Sequence, residues 1–264
     1  MMLFAHLIGA KISCIIYLTG LIFRFSLMKA LTSFPLLPLF LFCFLGSQAW
    51  AIQTKGAIVI ASMEGEVSVT NNETGVDLSS DRVKVGGLIF DGHTITTGPE
   101  SKAVLLFSSG TITTLKADSV LNIKKFAQEK FDPKAAGKLG DRKDEPSPSE
   151  TVIDLNLGDM VVDVKKLKKE SSFNIDSPVG TAGIRGTVPA IQVLKLPDGG
   201  FTQNTSMLRG EIAFTPRAGG PATFLGPGQS LSIGIGANGL MLPAQLGRVD
   251  VSVMKAIEAE VEQA

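Results

Sequence analysis

The chain has 264 residues, with 25 basic and 25 acidic side chains and therefore no formal net charge at pH 7. This length fits one large domain or two small ones. Two cysteines and two histidines occur in the whole chain, but only His93 lies beyond residue 51, and one such ligand is too few for a zinc site built from several of them.

The first 51 residues have the pattern of an export leader. Lys29 supplies a basic start, residues 34–45 form an apolar run, and an Ala-x-Ala cleavage pattern ends at Ala51. We therefore predict a signal peptide over residues 28–51. Its removal would place the mature chain in the periplasm or outside the cell.

Residues 1–27 precede this signal and are also apolar, with Lys11 and Arg24 as interruptions. One interpretation is an over-extended gene start, with translation beginning at Met28. It is favoured because a well-formed signal peptide begins at that internal methionine. The alternative is that residues 1–27 anchor the chain in a membrane.

The leader contains both cysteines, the single tryptophan and tyrosine, and one of the two histidines. The exported part then has no disulfide, and His93 is its one histidine, interpreted as an exposed turn residue. A Ser-His-Asp or Cys-His arrangement needs a histidine beside a nucleophile. The sequence therefore predicts no catalytic residue, no metal and no cofactor. With 22 basic against 25 acidic residues after the leader, nucleic acid is not an expected partner.

From residue 57 onward, short apolar runs alternate with turn residues, which is typical of an all-β fold. The close spacing of the turns favours a sandwich or β-roll of short antiparallel strands over residues 52–247. Residues 108–110 and 197–200 are predicted hairpin turns. The predicted strands cover residues 57–62, 66–70, 102–107, 111–115, 120–124, 151–155, 159–164, 173–176, 190–196 and 201–203.

Two segments depart from the β pattern. Residues 127–150 are rich in charge and poor in apolar side chains, which predicts a solvated, mobile loop. A partner-binding loop is the alternative. Residues 248–264 change to a helical period and predict a short helix that packs on the β core. Its predicted apolar face consists of Val253, Met254, Ile257 and Val261.

Glycines at every third position distinguish residues 180–187 from the rest of the chain. Glycine is needed where the backbone turns with positive φ or another chain segment approaches closely. Arg185 is the one charge among these small residues, and its five donors require partners. In one interpretation Arg185 ties loops together; in the other it holds a partner's carboxylate or strand edge. The candidate partner-binding residues are Gly180, Gly183, Arg185, Gly186 and Thr187.

These residues, taken in order with their neighbours, resemble the FecR domain family. The resemblance begins at residues 87–98, continues through 101–123 and 157–160, and reaches the family's Arg-Gly-Thr signature at the end of 173–187. It implies a β-rich periplasmic domain. In the best-known members this domain receives a signal from an outer-membrane receptor and relays it to a cytoplasmic sigma factor.

The chain departs from those members in two places. They carry a cytoplasmic sigma-binding segment and a membrane helix before the domain, whereas 27 mostly apolar residues precede the predicted signal here. The resemblance therefore implies the family's β domain for this chain, but not its regulation of a sigma factor. Pro189 also follows the signature where an aromatic residue is common, and proline removes one backbone donor from a strand.

Our expectation from the sequence is an exported, non-enzymatic FecR-like domain that binds a protein or an envelope component, with signalling as one role. The first alternative is a carbohydrate-active hydrolase that uses paired carboxylates drawn from Asp154, Asp159, Asp163 and Asp176. The second alternative is a structural envelope protein that self-associates through strand edges.

Overall fold

The computed structural model describes residues 54–264, so the predicted signal peptide and the alternative N-terminal anchor lie outside the described residues. Within them no helix is both long enough and apolar enough to cross a membrane. The described chain forms 17 strands and two helices, which confirms the all-β prediction with a C-terminal helix. In chain order these are β1 Thr54–Lys55, β2 Ile58–Glu64, β3 Val67–Asn71, β4 Leu88–Ile89, β5 His93–Thr97, β6 Lys102–Phe107, β7 Ile112–Leu115, β8 Val120–Gln128, α1 Pro133–Ala136, β9 Ser149–Asp163, β10 Ser172–Asp176, β11 Gly180–Ile184, β12 Val188–Lys195, β13 Phe201–Arg209, β14 Ile212–Pro216, β15 Thr223–Leu225, β16 Gln229–Ile235, β17 Gln245–Arg248 and α2 Val251–Gln263.

The strands form two layers that share one long strand. Sheet A runs in the order β3-β5-β8-β9-β10-β11-β14-β15, with β1 beside the end of β8. Sheet B runs in the order β4-β2-β6-β7-β9-β12-β13-β16-β17. Neighbouring strands are antiparallel, as predicted, except that β9 and β10 are parallel.

Strand β9 passes from one sheet to the other. Its first half pairs with β8 in sheet A, and its second half pairs with β7 and β12 in sheet B. The sequence predicted two strands, 151–155 and 159–164, where the structure has one strand of 15 residues. Gly158 lies at the crossing with φ of 95°, a conformation that other residues rarely adopt.

The hydrophobic core lies between the two sheets. Alternate residues point inward, as in β5, where His93, Ile95 and Thr97 are buried and the residues between them are partly exposed. Phe107 of sheet B contacts Phe126 of sheet A edge to face, with ring centroids 5.1 Å apart. Such aromatic contacts across the layers add to the apolar area that holds the sheets together.

Helix α2 packs on the outer surface of sheet B. Ile257 is buried against Val161 and Val188, and Val261 is partly buried beside them. Asp250 caps the helix by accepting from the backbone N–H of Ser252 at 2.8 Å, and the hydroxyl and N–H of Ser252 lower the pKa of its carboxyl. The predicted helix is confirmed, but Val253 on its predicted apolar face is 42% exposed.

The charged segment 127–150 is not purely solvated, so that prediction is wrong at both ends. Ala127 and Gln128 belong to β8, and Ser149 and Glu150 belong to β9. Near the second end Glu145 is fully buried. Glu145 accepts hydrogen bonds from Ser149, Ser171 and the N–H of Lys168, so polar contacts that the composition does not reveal hold this part of the segment on the sandwich.

Candidate functional site

The glycine-rich residues 180–187 form a strand and a short link. Gly180 and Gly183 lie inside β11, which is paired with β10 on one side and β14 on the other. Of the three glycines only Gly186, in the link to β12, has positive φ, at 65°. The predicted turning of the backbone is therefore wrong for Gly180 and Gly183.

Close packing explains Gly180 instead. A Cβ at this position would overlap the carbonyl oxygen of Thr215 and lie 2.6 Å from Cζ of Phe214. Both atoms belong to the neighbouring strand β14, so the sheet could not keep its spacing around a side chain. Gly183 is different, because its nearest neighbours would be Oδ1 of Asn174 at 3.6 Å and the carbonyl oxygen of Ala213 at 3.8 Å, which is ordinary contact.

The five candidate residues do not share one accessible surface. Gly180 and Thr187 are buried, whereas Gly183 is partly exposed and Arg185 is exposed. The buried Thr187 accepts from the N–H of Val164 at 3.0 Å and so helps join the link to the end of β9. A partner that approaches this region would meet Gly183 and Arg185, not Thr187.

Arg185 is exposed, next to the buried Ile184 that ends β11. Within residues 54–264 its one hydrogen bond runs from Nη2 to the carbonyl oxygen of Lys169 and is long, at 3.5 Å. None of the ion pairs within residues 54–264 includes it. The guanidinium therefore keeps most of its donors for another molecule.

A shallow depression lies beside this arginine on the outer surface of sheet A. Gly183, Ala213 and Phe224 stand side by side on β11, β14 and β15. Phe224 is 63% exposed on the edge strand, and Glu211 also lines the depression, at the end where Arg185 lies. We call the surface formed by Gly183, Arg185, Glu211, Ala213 and Phe224 the Arg185 face; it encloses about 380 Å³.

Sequence reasoning missed Phe224 and Glu211. The signal for Phe224 was present, because alternation along β15 places its neighbour Leu225 in the core and turns Phe224 outward. That strand has three residues and follows a segment of prolines and glycines, which hid the alternation. The pairing of β14 and β15 beside β11 depends on contacts distant in sequence.

Three of the four carboxylates considered for hydrolysis, those of Asp154, Asp163 and Asp176, are paired with cations. Lys124 lies between Asp154 and Asp176, with Nζ 2.7 Å and 3.1 Å from their oxygens. Desolvation lowers the pKa of Lys124, but hydrogen bonds and attraction from the two carboxylates outweigh it and raise the pKa above its usual value. Asp163 is paired with Lys165 and Arg209.

His93 does not occupy an exposed turn, so its sequence interpretation is wrong. It lies in β5, is 9% exposed, and places Nδ1 3.2 Å from the carbonyl oxygen of Phe90. Across residues 54–264 no group of three or more His, Cys, Asp or Glu side chains is arranged to hold a metal ion.

Comparison with known proteins places the Arg185 face mostly inside a family match. Residues 93–212 match the family model described as FecR protein. This range includes Gly183, Arg185 and Glu211. It ends at the first residue of β14, so Ala213 and Phe224 lie beyond it. No curated protein matches the chain.

Two solved structures are also similar to this chain. Both are crystal structures of a protein described as an anti-sigma factor from Parabacteroides distasonis ATCC 8503, at 13% and 12% identity. The TM-scores are 0.43 and 0.42, and each match covers 62% of this chain. The matches span 63% and 62% of the compared chains, which is less than two thirds of their length.

Proposed function

We propose, from the match of residues 93–212 to the FecR family model, that this chain is an exported, non-enzymatic module that binds a protein partner in cell-envelope signalling. The family supports a signalling role. The leader pattern of residues 28–51 supports export.

The observation that carries this proposal is the composition of the Arg185 face. Arginine and aromatic side chains are enriched where proteins bind one another, and a few of them supply most of the affinity. Here an exposed arginine and an exposed phenylalanine border a floor of Gly183 and Ala213. Small floor residues let a partner's backbone or side chain approach the sheet closely.

The charges of this surface define the chemistry of the partner. Arg185 would hold a carboxylate through paired hydrogen bonds, which are stronger than those between neutral groups. Phe224 would pack against an apolar side chain of the same partner. Glu211 borders the depression and would repel a second carboxylate, so the partner's acidic group has one favourable position.

The test is site-specific photo-crosslinking in cells, with a photoreactive side chain at the exposed position of Glu211, which borders the depression. We expect one discrete protein adduct, identified by mass spectrometry, that Arg185→Ala removes. Loss of a central arginine commonly costs about 2 kcal/mol or more of binding free energy. The thermal midpoint should stay nearly unchanged, because Arg185 makes only one long hydrogen bond.

Arg82→Ala is the matched control. Arg82 is also an exposed arginine, and it lies in the loop between β3 and β4, outside the Arg185 face. This variant should retain the adduct. Retention of the adduct by Arg185→Ala would contradict the proposal, and so would a thermal midpoint lowered by several degrees, which would assign Arg185 a structural role.

A further inference from the structure

A second surface groove, separate from the Arg185 face, collects positive charge. Arg142 and Lys143 stand on one side, Lys165 and Lys166 on the other, and Arg209 completes the lining. We call this surface the basic groove; it encloses about 440 Å³. We propose that the basic groove binds a phosphate group, and the proposal does not depend on the function proposed above.

The charge of the groove opposes that of the rest of the described chain. Three of the 25 basic residues and none of the 25 acidic residues precede Thr54, so residues 54–264 carry a small negative net charge. Five basic side chains line the groove, against the two carboxylates of Asp141 and Asp163. Positive charges gathered in one groove raise the local concentration of anions.

Asp163 orients two of the cations and neutralises only one charge. It is 8% exposed, and its two oxygens accept from Nζ of Lys165 at 2.7 Å and from Nη2 of Arg209 at 2.9 Å. A buried carboxylate shared by two cations leaves one positive charge facing the groove. The same contacts fix both side chains before a ligand arrives, which lowers the entropy lost on binding.

The remaining cations are available for a ligand. Arg142 is held by hydrogen bonds from Nε to the carbonyl oxygen of Asp144 and from Nη1 to that of Ala136, at 3.1 Å and 2.7 Å, and these leave Nη2 to bind a ligand. Lys143 and Lys166 are exposed, and neither takes part in an ion pair within the described residues.

Glu145 connects the two sides of the groove. Its side chain is fully buried and accepts from the hydroxyls of Ser149 and Ser171 and from the N–H of Lys168. Its own N–H donates to the carbonyl oxygen of Lys166 at 3.1 Å. Residues 140–143 are therefore attached through Glu145 to the segment that carries Lys165 and Lys166.

Phosphate fits this arrangement better than a lone carboxylate does. A phosphate monoester carries a charge of about −1.5 to −2 and three strong acceptor oxygens, so it can satisfy cations that approach from several directions. Lysine binds it as a point charge and arginine as a planar fork. The phosphate could belong to a soluble molecule or to a phospholipid head group, and the two share this chemistry.

The test compares the wild-type full-length protein with the double variant Lys143→Gln/Lys166→Gln. Both lysines are exposed, so the variant should fold normally. Inorganic phosphate is titrated by calorimetry at constant ionic strength, and we expect the double variant to bind on the order of tenfold more weakly. The matched control is Lys84→Gln/Lys195→Gln, which removes the same charge from two exposed lysines outside the groove and should bind as the wild type does.

Vesicle flotation distinguishes the two sources of phosphate. Flotation with phosphatidylglycerol vesicles that is absent with phosphatidylcholine and lost in the groove variant would support a head group. Binding of inorganic phosphate without such flotation would support a soluble phosphate. The proposal is overturned if neither probe binds, or if the control variant weakens binding as much as the groove variant does.

Discussion

Two regions of the sandwich contain glycine, yet they use it in opposite ways. At the crossing of β9, Gly158 is enclosed by Ser119, and a Cβ would overlap the serine Oγ and lie 2.5 Å from its Cα. On the outer surface of β11, Gly183 has only ordinary contacts around the position of a Cβ. The first glycine is required by the fold, whereas the second keeps a surface open.

The polar groups of the two regions differ in the same way. At the crossing, the hydroxyl of Ser119 accepts from the N–H of Asp159 at 2.9 Å, and Thr97 accepts from the N–H of Ser119 at 3.1 Å. On the surface, Arg185 retains most of its donors. Satisfied buried groups specify structure, while unsatisfied exposed groups are available for recognition, so the two regions should respond differently to substitution.

The largest effect should come from Gly158→Ala. The new methyl group meets the backbone of Ser119, which cannot move without disturbing both sheets, and φ of 95° is strained for alanine. We expect a loss of at least about 3 kcal/mol in the free energy of unfolding, measured by urea denaturation followed by circular dichroism.

Gly75→Ala is the control for this experiment. Gly75 also has positive φ, at 66°, but no atom lies within 4 Å of the position of its Cβ. The Gly75→Ala substitution should lower the free energy of unfolding by about 1–2 kcal/mol, which is the cost of the backbone strain alone. Equal losses in the two variants would show that the contact with Ser119 has no energetic importance.

A smaller loss should follow Ser119→Ala. Alanine fits the space, but the N–H of Asp159 loses its acceptor inside a buried site, at a cost of about 1–3 kcal/mol. Ser62→Ala in β2 removes an exposed hydroxyl and should change stability by less than about 0.5 kcal/mol. If the two serine variants unfold at the same urea concentration, the hydrogen bonds at the crossing do not stabilise the fold.

Much of the fold could be predicted from the sequence, because strand alternation and turns are local signals. The hairpin of β6 and β7 and the hairpin of β12 and β13 lie where their turn residues predict them. The continuity of β9 could not be predicted, because Gly158 looks like a strand terminator. Only its pairing with different partners on each side shows that the strand continues.

The candidate site was predictable only in part. Arg185 stands out in the sequence as one charge among small residues, and the structure leaves it exposed. The burial of Thr187 could not be predicted from the sequence, because this residue is joined to the end of β9 by the hydrogen bond from the N–H of Val164 to its carbonyl oxygen. The basic groove was hidden for the same reason, because its cations come from three separate segments, with Lys143 and Lys165 22 positions apart and Lys166 and Arg209 43 positions apart.

Gly183→Ala should have a small effect on stability, and the sign of this effect is the informative part. The methyl group finds ordinary contacts, and alanine restricts the unfolded chain more than glycine does, so the free energy of unfolding should rise by about 0.4–1 kcal/mol. Urea denaturation measures this change, and a loss above 1 kcal/mol would place Gly183 with the structural glycines. Because the same methyl group projects into the depression of the Arg185 face, the crosslinked adduct at position 211 should become weaker while the protein becomes more stable. That opposite change in stability and binding is expected of a surface kept open for a partner, and a purely structural glycine would not produce it.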